Sequence, residues 1–222
     1  MGSWRRTRPA HEGRHQVHDQ TIGGYLDRLA AREPAPGGGA AAALHAAQGA
    51  ALLGMVARYT TGEKYAAHAG AIARITADSD ELRSRALQLA EDDARAFTAV
   101  TDAYGLPRAD DTQKAVRSRA IAAALQGAAR PPAEVVAVAA AIIALAEELL
   151  PIGNPNVVTD VAAGAEAARA AATTARVNVE INLGGIKDEA ARADLAATVA
   201  DVDALASRAE SVTAGVRHRI TR

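Results

Sequence analysis

The sequence predicts an all-α fold, an antiparallel helical bundle of about seven helices, from three observations. No segment alternates apolar and polar residues as a half-buried strand would, and no Asn-Gly or Asp-Gly hairpin signal occurs. Apolar side chains instead recur at spacings of three and four residues, which is the period of a helix. Short segments that contain glycine or proline separate these helical patterns, and short connections favour antiparallel neighbours.

Each predicted helix runs between two such breaks. The predicted helices are Thr21–Arg32, Gly39–Tyr59, Lys64–Tyr104, Thr112–Ala128, Ala133–Leu150, Pro155–Asn182 and Lys187–Ile220. The breaks are Pro34–Gly39, Thr61-Gly62, Gly105-Leu106-Pro107, Pro131-Pro132, Gly153-Asn154-Pro155 and Gly184-Gly185. Asn154 before Pro155 is a typical cap followed by a first-turn proline.

Composition narrows the class of protein. The chain has 222 residues, a formal net charge of -1, 3% aromatic residues and no cysteine. These values exclude disulfides and thiol chemistry, and they do not favour nucleic-acid binding. Residues 19–222 are interpreted as a single domain. Residues 1–18 are polar and lack the apolar core of a signal peptide, so we interpret them as a disordered extension of a cytoplasmic protein.

The segment from Pro34 to Ala57 carries no charged residue over the length of a membrane span. Its composition is mostly glycine and alanine, which have poor transfer free energies into lipid. A helix buried by its neighbours or by a partner subunit is therefore the preferred interpretation, and no membrane association is expected.

Three consecutive glycines, Gly37, Gly38 and Gly39, precede this alanine-rich helix. They allow close approach of another backbone, and the helix N-terminus behind them favours an anion. No Lys-Ser/Thr pair follows, so the segment is not a nucleotide P-loop. Whether it receives a carboxylate or simply permits close packing stays open at this point.

Two helices carry polar residues at positions that the pattern makes apolar. Asp93 lies in the seam of the third helix, where a carboxylate either pairs with an arginine such as Arg58 or Arg169 or performs chemistry. Asp160 and Asn178 share one face of the sixth predicted helix, five helical turns apart. The residues between them on that face are small.

Six motifs in this order resemble the cyclodeaminase/cyclohydrolase family, which comprises the C-terminal domain of formimidoyltransferase-cyclodeaminase and stand-alone methenyltetrahydrofolate cyclohydrolases. The motifs span most of the chain from about Thr21. They are Pro34-Ala-Pro-Gly-Gly-Gly-Ala40, Tyr59-Thr-Thr-Gly-Glu-Lys-Tyr65, Glu91-Asp-Asp-Ala-Arg-Ala-Phe97, Gly153-Asn-Pro-Asn-Val-Val-Thr-Asp160, Asn178-Val-Glu-Ile-Asn182 and Gly185-Ile-Lys-Asp188.

The resemblance implies an all-α homodimer whose pocket binds a tetrahydrofolate derivative as substrate, without a metal or other cofactor. It implies either hydrolysis of 5,10-methenyltetrahydrofolate to 10-formyltetrahydrofolate or cyclodeamination of 5-formimidoyltetrahydrofolate with release of ammonia. Both reactions need a group that accepts a proton and one that returns it. The expected catalytic residues are Asp93, Asp160 and Lys64. The expected substrate-binding residues are Gly37, Gly38, Gly39, Tyr65, Asn154, Asn156, Asn178, Asn182 and Lys187.

Three positions depart from the family pattern: Ala40 replaces an expected serine, Glu180 reverses a charge, and Gly184 replaces a bulkier or basic residue. Two alternatives therefore stay open beside the folate enzyme. One is a family paralogue that cyclises, hydrolyses or deaminates a non-folate substrate. The other is a non-catalytic helical scaffold, in which Asp93 and Asp160 would form salt bridges.

Overall fold

The computed structural model describes residues 17–221, and within that range the chain is helical and contains no strand. Seven α-helices follow one another along the described chain: α1 Ile22–Ala30, α2 Gly38–Tyr59, α3 Ala69–Gly105, α4 Asp111–Ile152, α5 Val158–Leu183, α6 Glu189–Val199 and α7 Val202–Ile220. Short 3-10 helices cover Val17–Asp19, Glu63–His68 and Pro155–Val157. The predicted all-α bundle is confirmed.

Helix α2 lies at the centre of the bundle, antiparallel to both α3 and α5. On the α3 side, Gly39 faces Asp93 and Gly54 faces Ser79. On the α5 side, Gly38 faces Asn178, whereas Gly49 lies against the start of the helix. Six of the nine alanines of α2 are completely buried, so this part of the core is formed by close approach of helices rather than by large side chains.

The crossing of α2 and α5 depends on two glycines. A Cβ on Gly49 would lie 2.9 Å from the carbonyl oxygen of Gly164, and a Cβ on Gly164 would lie 3.0 Å from a Leu53 methyl group. Neither helix has room for a side chain there. This close contact between small residues is what the alanine-rich composition predicts, and it packs the middle of α2 against the first half of α5.

Two predicted boundaries are wrong. The expected break at Pro131-Pro132 does not occur, because α4 continues through both prolines. Both rings are buried, as are Ala129 and Ala133 beside them, so tertiary packing compensates for the lost backbone hydrogen bonds. The predicted last helix is instead divided into α6 and α7 at Ala200-Asp201.

Side-chain caps set two other boundaries, of which the one at Asn154 was predicted. The Oδ1 atom of Asp110 accepts a hydrogen bond from the backbone N–H of Gln113 at 2.8 Å and caps α4. Asn154 caps the 3-10 turn before α5 in the same manner. The third predicted helix begins later than expected, because Glu63–His68 is a 3-10 segment.

Residues 1–16 of the predicted N-terminal extension lie outside the described residues. At its end, the extension overlaps the first 3-10 helix: Val17 is buried and the backbone N–H of His18 donates to Glu91 at 3.3 Å. Within the described chain, α2 and α4 are long and apolar enough to cross a membrane by length and composition. Their most apolar windows are 61% and 50% buried in the bundle, as in core helices of other proteins.

Candidate active site

Asp93 lies against the first turn of α2, and the glycines of that turn make room for it. A Cβ on Gly39 would lie 2.0 Å from the Asp93 Oδ1 atom, so only glycine is compatible with the carboxylate in this position. The backbone N–H of Ala40 donates to the carboxylate. The anion that this helix N-terminus receives is therefore a side chain of the same protein, which the sequence left open.

The carboxylate of Asp93 has no cationic partner within the described residues. Arg58 pairs with Asp80 and Arg169 pairs with Glu166, so neither arginine considered from sequence reaches it. Burial raises the pKa of Asp93 to about 6, and the hydrogen bond from Ala40 opposes that rise. A carboxyl group with a pKa in this range exchanges protons near neutral pH, which is the property of a general base or acid.

Tyr25 of α1 lies within the electrostatic influence of Asp93 and is a candidate site residue that the sequence analysis missed. Its hydroxyl group is buried and has no hydrogen-bond partner among residues 17–221. Burial raises the pKa of Tyr25, and the negative charge of Asp93 raises it further. The sequence signal was weak, because a tyrosine on the apolar face of a short helix reads as an ordinary core residue.

Two asparagines complete this end of the molecule. The Nδ2 atom of Asn178 donates to the carbonyl of Thr174 at 2.9 Å, and that of Asn182 donates to the carbonyl of Asn178 at 2.7 Å. Each side chain retains an Oδ1 acceptor and a second N–H donor for a ligand. We call Gly37, Gly38, Gly39, Asp93, Asn178 and Asn182 the amino-end group, after the end of α2 at which they lie.

Apart from Lys187, the other predicted residues lie at the opposite end of α2. The Nδ2 atom of Asn154 donates to the carbonyl of Tyr59 at 2.7 Å, and its backbone N–H donates to Thr60 Oγ1 at 3.0 Å. The ammonium of Lys64 is exposed and lies 4.7 Å from the ring centroid of Tyr65. We call Lys64, Tyr65, Asn154, Asn156 and Asp160 the carboxyl-end group.

Within one chain the two groups are far apart. Helix α2 has 22 residues, so its ends are separated by about 33 Å at 1.5 Å per residue. Asp160, in the first turn of α5, is half-buried and does not approach Asp93. The structure therefore does not bring the predicted catalytic residues together in one chain.

Lys187 follows α5 and lies beyond the amino-end group, where its Nζ donates to Ser118 Oγ at 3.1 Å. It borders a separate cavity whose other cationic residues, Arg108, Lys114 and Arg117, were not identified from sequence. Within residues 17–221, no group of three or more His, Cys, Asp or Glu side chains is arranged to hold a metal ion.

A helical bundle that holds an unpaired, half-buried carboxylate in a niche made by glycine has the features of an acid–base enzyme. In a scaffold, that carboxylate would be expected to form an ion pair. Residues 21–201 match the family described as formiminotransferase-cyclodeaminase, and the chain belongs to that family, as the motifs predicted.

Curated relatives are enzymes of folate one-carbon metabolism by name. The methenyltetrahydrofolate cyclohydrolase of Methylorubrum extorquens is 39% identical over 173 residues, which cover 78% of this chain and 83% of that protein. The formimidoyltransferase-cyclodeaminase of Mus musculus is 30% identical over 77% of this chain. The matched region is 32% of the mouse protein, so this chain corresponds to about a third of it.

A solved structure supports the same assignment. The formiminotetrahydrofolate cyclodeaminase of Thermotoga maritima superimposes with a TM-score of 0.80 and 28% identity, over 92% of this chain and 99% of that one. The predictions of the family, the all-α fold and a cyclohydrolase or cyclodeaminase enzyme are confirmed.

Proposed function

We propose that this protein hydrolyses 5,10-methenyltetrahydrofolate to 10-formyltetrahydrofolate, with Asp93 as the group that exchanges protons. The observation that carries the proposal is the unpaired carboxylate of Asp93, whose pKa burial raises to about 6. The 39% identical cyclohydrolase, matched over most of both chains, favours water over ammonia chemistry.

The substrate contains an amidinium cation, whose bridging carbon is already electrophilic. An ionised Asp93 stabilises that cation and accepts a proton from the water that attacks the carbon. The resulting tetrahedral centre carries a hydroxyl group and two nitrogens. Cleavage of its bond to N5 forms the formyl group on N10, while N5 receives a proton and one proton in total is released. The proposed reaction needs no metal and no cofactor beyond the folate itself.

The amino-end group and the neighbouring Tyr25 offer hydrogen-bonding groups for the pterin ring and for the tetrahedral intermediate. Asn178 and Asn182 present an amide donor and an acceptor, which match the hydrogen-bonding edge of a pterin ring. The Tyr25 hydroxyl group is held in its neutral form near Asp93, because both burial and the carboxylate charge raise its pKa. A neutral hydroxyl can donate a hydrogen bond to the tetrahedral intermediate.

The test is loss of the absorbance of 5,10-methenyltetrahydrofolate, measured against its spontaneous hydrolysis. The wild-type protein should accelerate this loss, and Asp93→Asn should lower kcat by a factor of about 10² to 10⁴. Asp92→Asn is the matched control, since Asp92 is the adjacent carboxylate and is paired with Arg95.

Absence of acceleration by the wild-type protein would overturn the proposal. If 5-formimidoyltetrahydrofolate then releases ammonia in a reaction that requires Asp93, the enzyme is a cyclodeaminase, as the structural relative from Thermotoga is by name. No reaction with either folate would favour the paralogue with a non-folate substrate.

We also propose a cytoplasmic homodimer in which the partner completes the site. An uncharged stripe runs along α5 at alternating spacings of four and three residues. It comprises Ala163, Ala167, Ala170, Thr174, Val177 and Ile181. Val177 and Ile181 are 59% and 78% exposed in one chain. Antiparallel packing of two such stripes around a twofold axis would place the partner's carboxyl-end group beside the amino-end group.

Mixing two inactive variants tests this arrangement. In the proposed dimer, a hybrid of Asp93→Asn and Asp160→Asn chains has one intact site and one doubly altered site. Random exchange makes half of the dimers hybrids, so activity should recover to about a quarter of the wild-type value. A monomer by analytical ultracentrifugation, or full activity of Asp160→Asn alone, would contradict it.

A further inference from the structure

A short turn before α1 is attached to α3 close to Asp93, and we call its residues 17–20 the clasp. The backbone N–H of His18 donates to the Glu91 Oε1 atom at 3.3 Å, and the Nδ1 atom of His18 lies 3.4 Å from the same oxygen. Beside it, Val17 is buried and belongs to the hydrophobic core. The clasp precedes residues 21–201, which match the family, so the family match does not account for this attachment.

Glu91 is mostly buried for a charged residue. The exposed fraction of its side chain is 12%, whereas glutamates are usually exposed unless they are paired. Asp19 lies 3.5 Å from the Nε2 atom of His18, and Arg83 lines the same cavity as His18. Donation by the backbone N–H of His18 does not depend on the charge of the imidazole ring. Glu91 therefore holds the clasp through a hydrogen bond that is costly to leave unmade.

The clasp leads directly into α1. The backbone N–H of Gln20 donates to the carbonyl of Val17 at 3.3 Å and closes the turn. The next residue, Thr21, caps α1 by accepting a hydrogen bond from the backbone N–H of Gly24 at 3.1 Å. Because no residue separates the clasp from this cap, a displacement of the clasp moves the start of α1.

Helix α1 has few other polar attachments. Within the described residues, its side-chain ion pair and its side-chain bond to backbone are local, since Arg28 pairs with Glu33 and donates to the carbonyl of Ala35. A cavity of about 460 Å³ lies between α1, α2 and α3, and Leu26 beside it is 53% exposed. The position of α1 therefore depends strongly on how its two ends are held.

Tyr25 is the residue through which α1 affects Asp93. Its side chain is buried, and the negative charge of Asp93 contributes to raising its pKa, which requires the two groups to be close. Tyr25 is therefore part of the surroundings whose burial raises the pKa of Asp93 to about 6. A shift of α1 away from the bundle would admit water to the carboxylate and lower that pKa.

We infer that Glu91 is a positioning residue: by binding the clasp, it holds α1, and with it Tyr25, against the Asp93 carboxylate. The inference rests on the proposed function of Asp93. Glu91 acts through the clasp and not on the substrate. Release of the clasp should hydrate Asp93 and leave the core of the bundle folded, because that core is formed by the close packing of α2 to α5.

The test compares Glu91→Ala, which removes both contacts to His18, with Glu91→Gln, which removes the same charge but keeps an oxygen acceptor. At pH 7.5, Glu91→Ala should lower kcat/KM for methenyltetrahydrofolate by about tenfold. The midpoint of its pH profile should fall below the wild-type value of about 6. Glu91→Gln should stay within about twofold of wild type and show a smaller shift. His18→Gln keeps the backbone N–H and should retain the transition, whereas its loss would mean that His18 itself titrates and would overturn the inference.

Two measurements without substrate separate this inference from the proposed function. Hydrogen exchange of the α1 amides should be at least about fivefold faster in Glu91→Ala than in wild type or Glu91→Gln, with α4 and α5 unchanged. Carboxyl ¹³C NMR, with Asp93→Asn for assignment, should show the lowered Asp93 midpoint even if neither folate reacts.

Three results would overturn the inference. Unchanged exchange of α1 in Glu91→Ala would show that Glu91 does not hold this helix. Faster exchange, combined with equal Asp93 midpoints in Glu91→Ala and Glu91→Gln, would show that the attachment does not position the site. Unfolding of the whole bundle by Glu91→Ala would show that Glu91 supports the core instead of α1.

Discussion

The two ends of α2 both gather polar side chains, yet they differ in how those side chains are satisfied. At the carboxyl end, Asn154 donates to Tyr59 and accepts from Asn156, and the ammonium of Lys64 is in solvent. At the amino end, Asp93 is half-buried against backbone, accepts a hydrogen bond from Ala40 and has no cationic partner in the part of the chain that the structure describes. Satisfied polar groups hold a structure together, whereas a carboxylate buried at a cost indicates chemistry.

This contrast divides the predicted site residues into those with a structural role and those proposed to act in catalysis. Asn154 joins the end of α2 to the start of α5, so its amide already has a structural role. Asp93 differs, because it accepts one N–H at the start of α2 but has no cation within the described residues to balance its charge. In the proposed dimer the carboxyl-end group serves the site through Lys64 and Asp160 of the opposite chain.

A side chain at Gly39, which would occupy the space beside Asp93, should have the largest effect on kcat/KM. Gly39→Ala places a methyl group 2.0 Å from the Asp93 Oδ1 atom, so the carboxylate must move. Displacement of a catalytic group by an ångström or more should lower kcat/KM by about 10²-fold or more in the hydrolysis assay.

The matched control is Gly70→Ala in the first turn of α3, where an added Cβ meets nothing within 4 Å. Its activity should stay within about twofold of wild type, because alanine is a better helix former than glycine. A Gly39→Ala protein with normal kcat/KM would show that the position of Asp93 does not matter for the reaction.

Removing the charge of Asp93 should stabilise the protein near neutral pH. The pKa of this carboxyl group rises from 3.8 to about 6 on folding. The unfolded chain therefore loses this proton at lower pH than the native chain, and stability falls as pH rises from about 4 to about 6. Asp93→Asn avoids this loss, so its free energy of unfolding at pH 7.5 should exceed that of wild type by about 2 kcal/mol.

Urea denaturation at pH 4 and pH 7.5 measures this effect, provided that both proteins unfold reversibly. The advantage of Asp93→Asn should be smaller at pH 4, where the wild-type carboxyl group is also largely protonated. Asp92→Asn should show no such gain, since it loses an ion pair. A variant that is less stable than wild type at both pH values would show that the charge of Asp93 is structural.

A smaller effect is expected at the carboxyl end. Asn154→Ala removes the hydrogen bond to the Tyr59 carbonyl and the cap of the following turn. Its free energy of unfolding should fall by about 1 to 2 kcal/mol. The neighbouring Asn156 is exposed, and Asn156→Ala should change stability by less than about 0.5 kcal/mol. Thermal denaturation of the pair decides whether Asn154 is a structural residue.

Helical periodicity and local caps were sufficient to predict the class of fold, the seam position of Asp93 and most helix boundaries. They failed at Pro131-Pro132, because burial of the prolines in the bundle outweighs their local preference. They also missed the division at Ala200-Asp201, where neither glycine nor proline marks a break.

The site itself was only partly predictable. Sequence spacing identified Asp93 and the three glycines as unusual, but their contact joins residues more than fifty positions apart and depends on tertiary packing. Tyr25 carries no local signal of function at all. The separation of Asp93 from Asp160 was likewise hidden, since motifs in one order along a chain do not show which end of a helix each occupies.

The pH dependence of kcat/KM for methenyltetrahydrofolate hydrolysis tests most directly whether the buried Asp93 carboxylate is the working group. After subtraction of the spontaneous rate, the wild-type value should rise with pH through an apparent pKa of about 6 and then level off. Asp93→Asn should remove that rise, and Asp92→Asn should retain it. A wild-type profile without this transition, or one that Asp93→Asn leaves in place, would contradict the assignment.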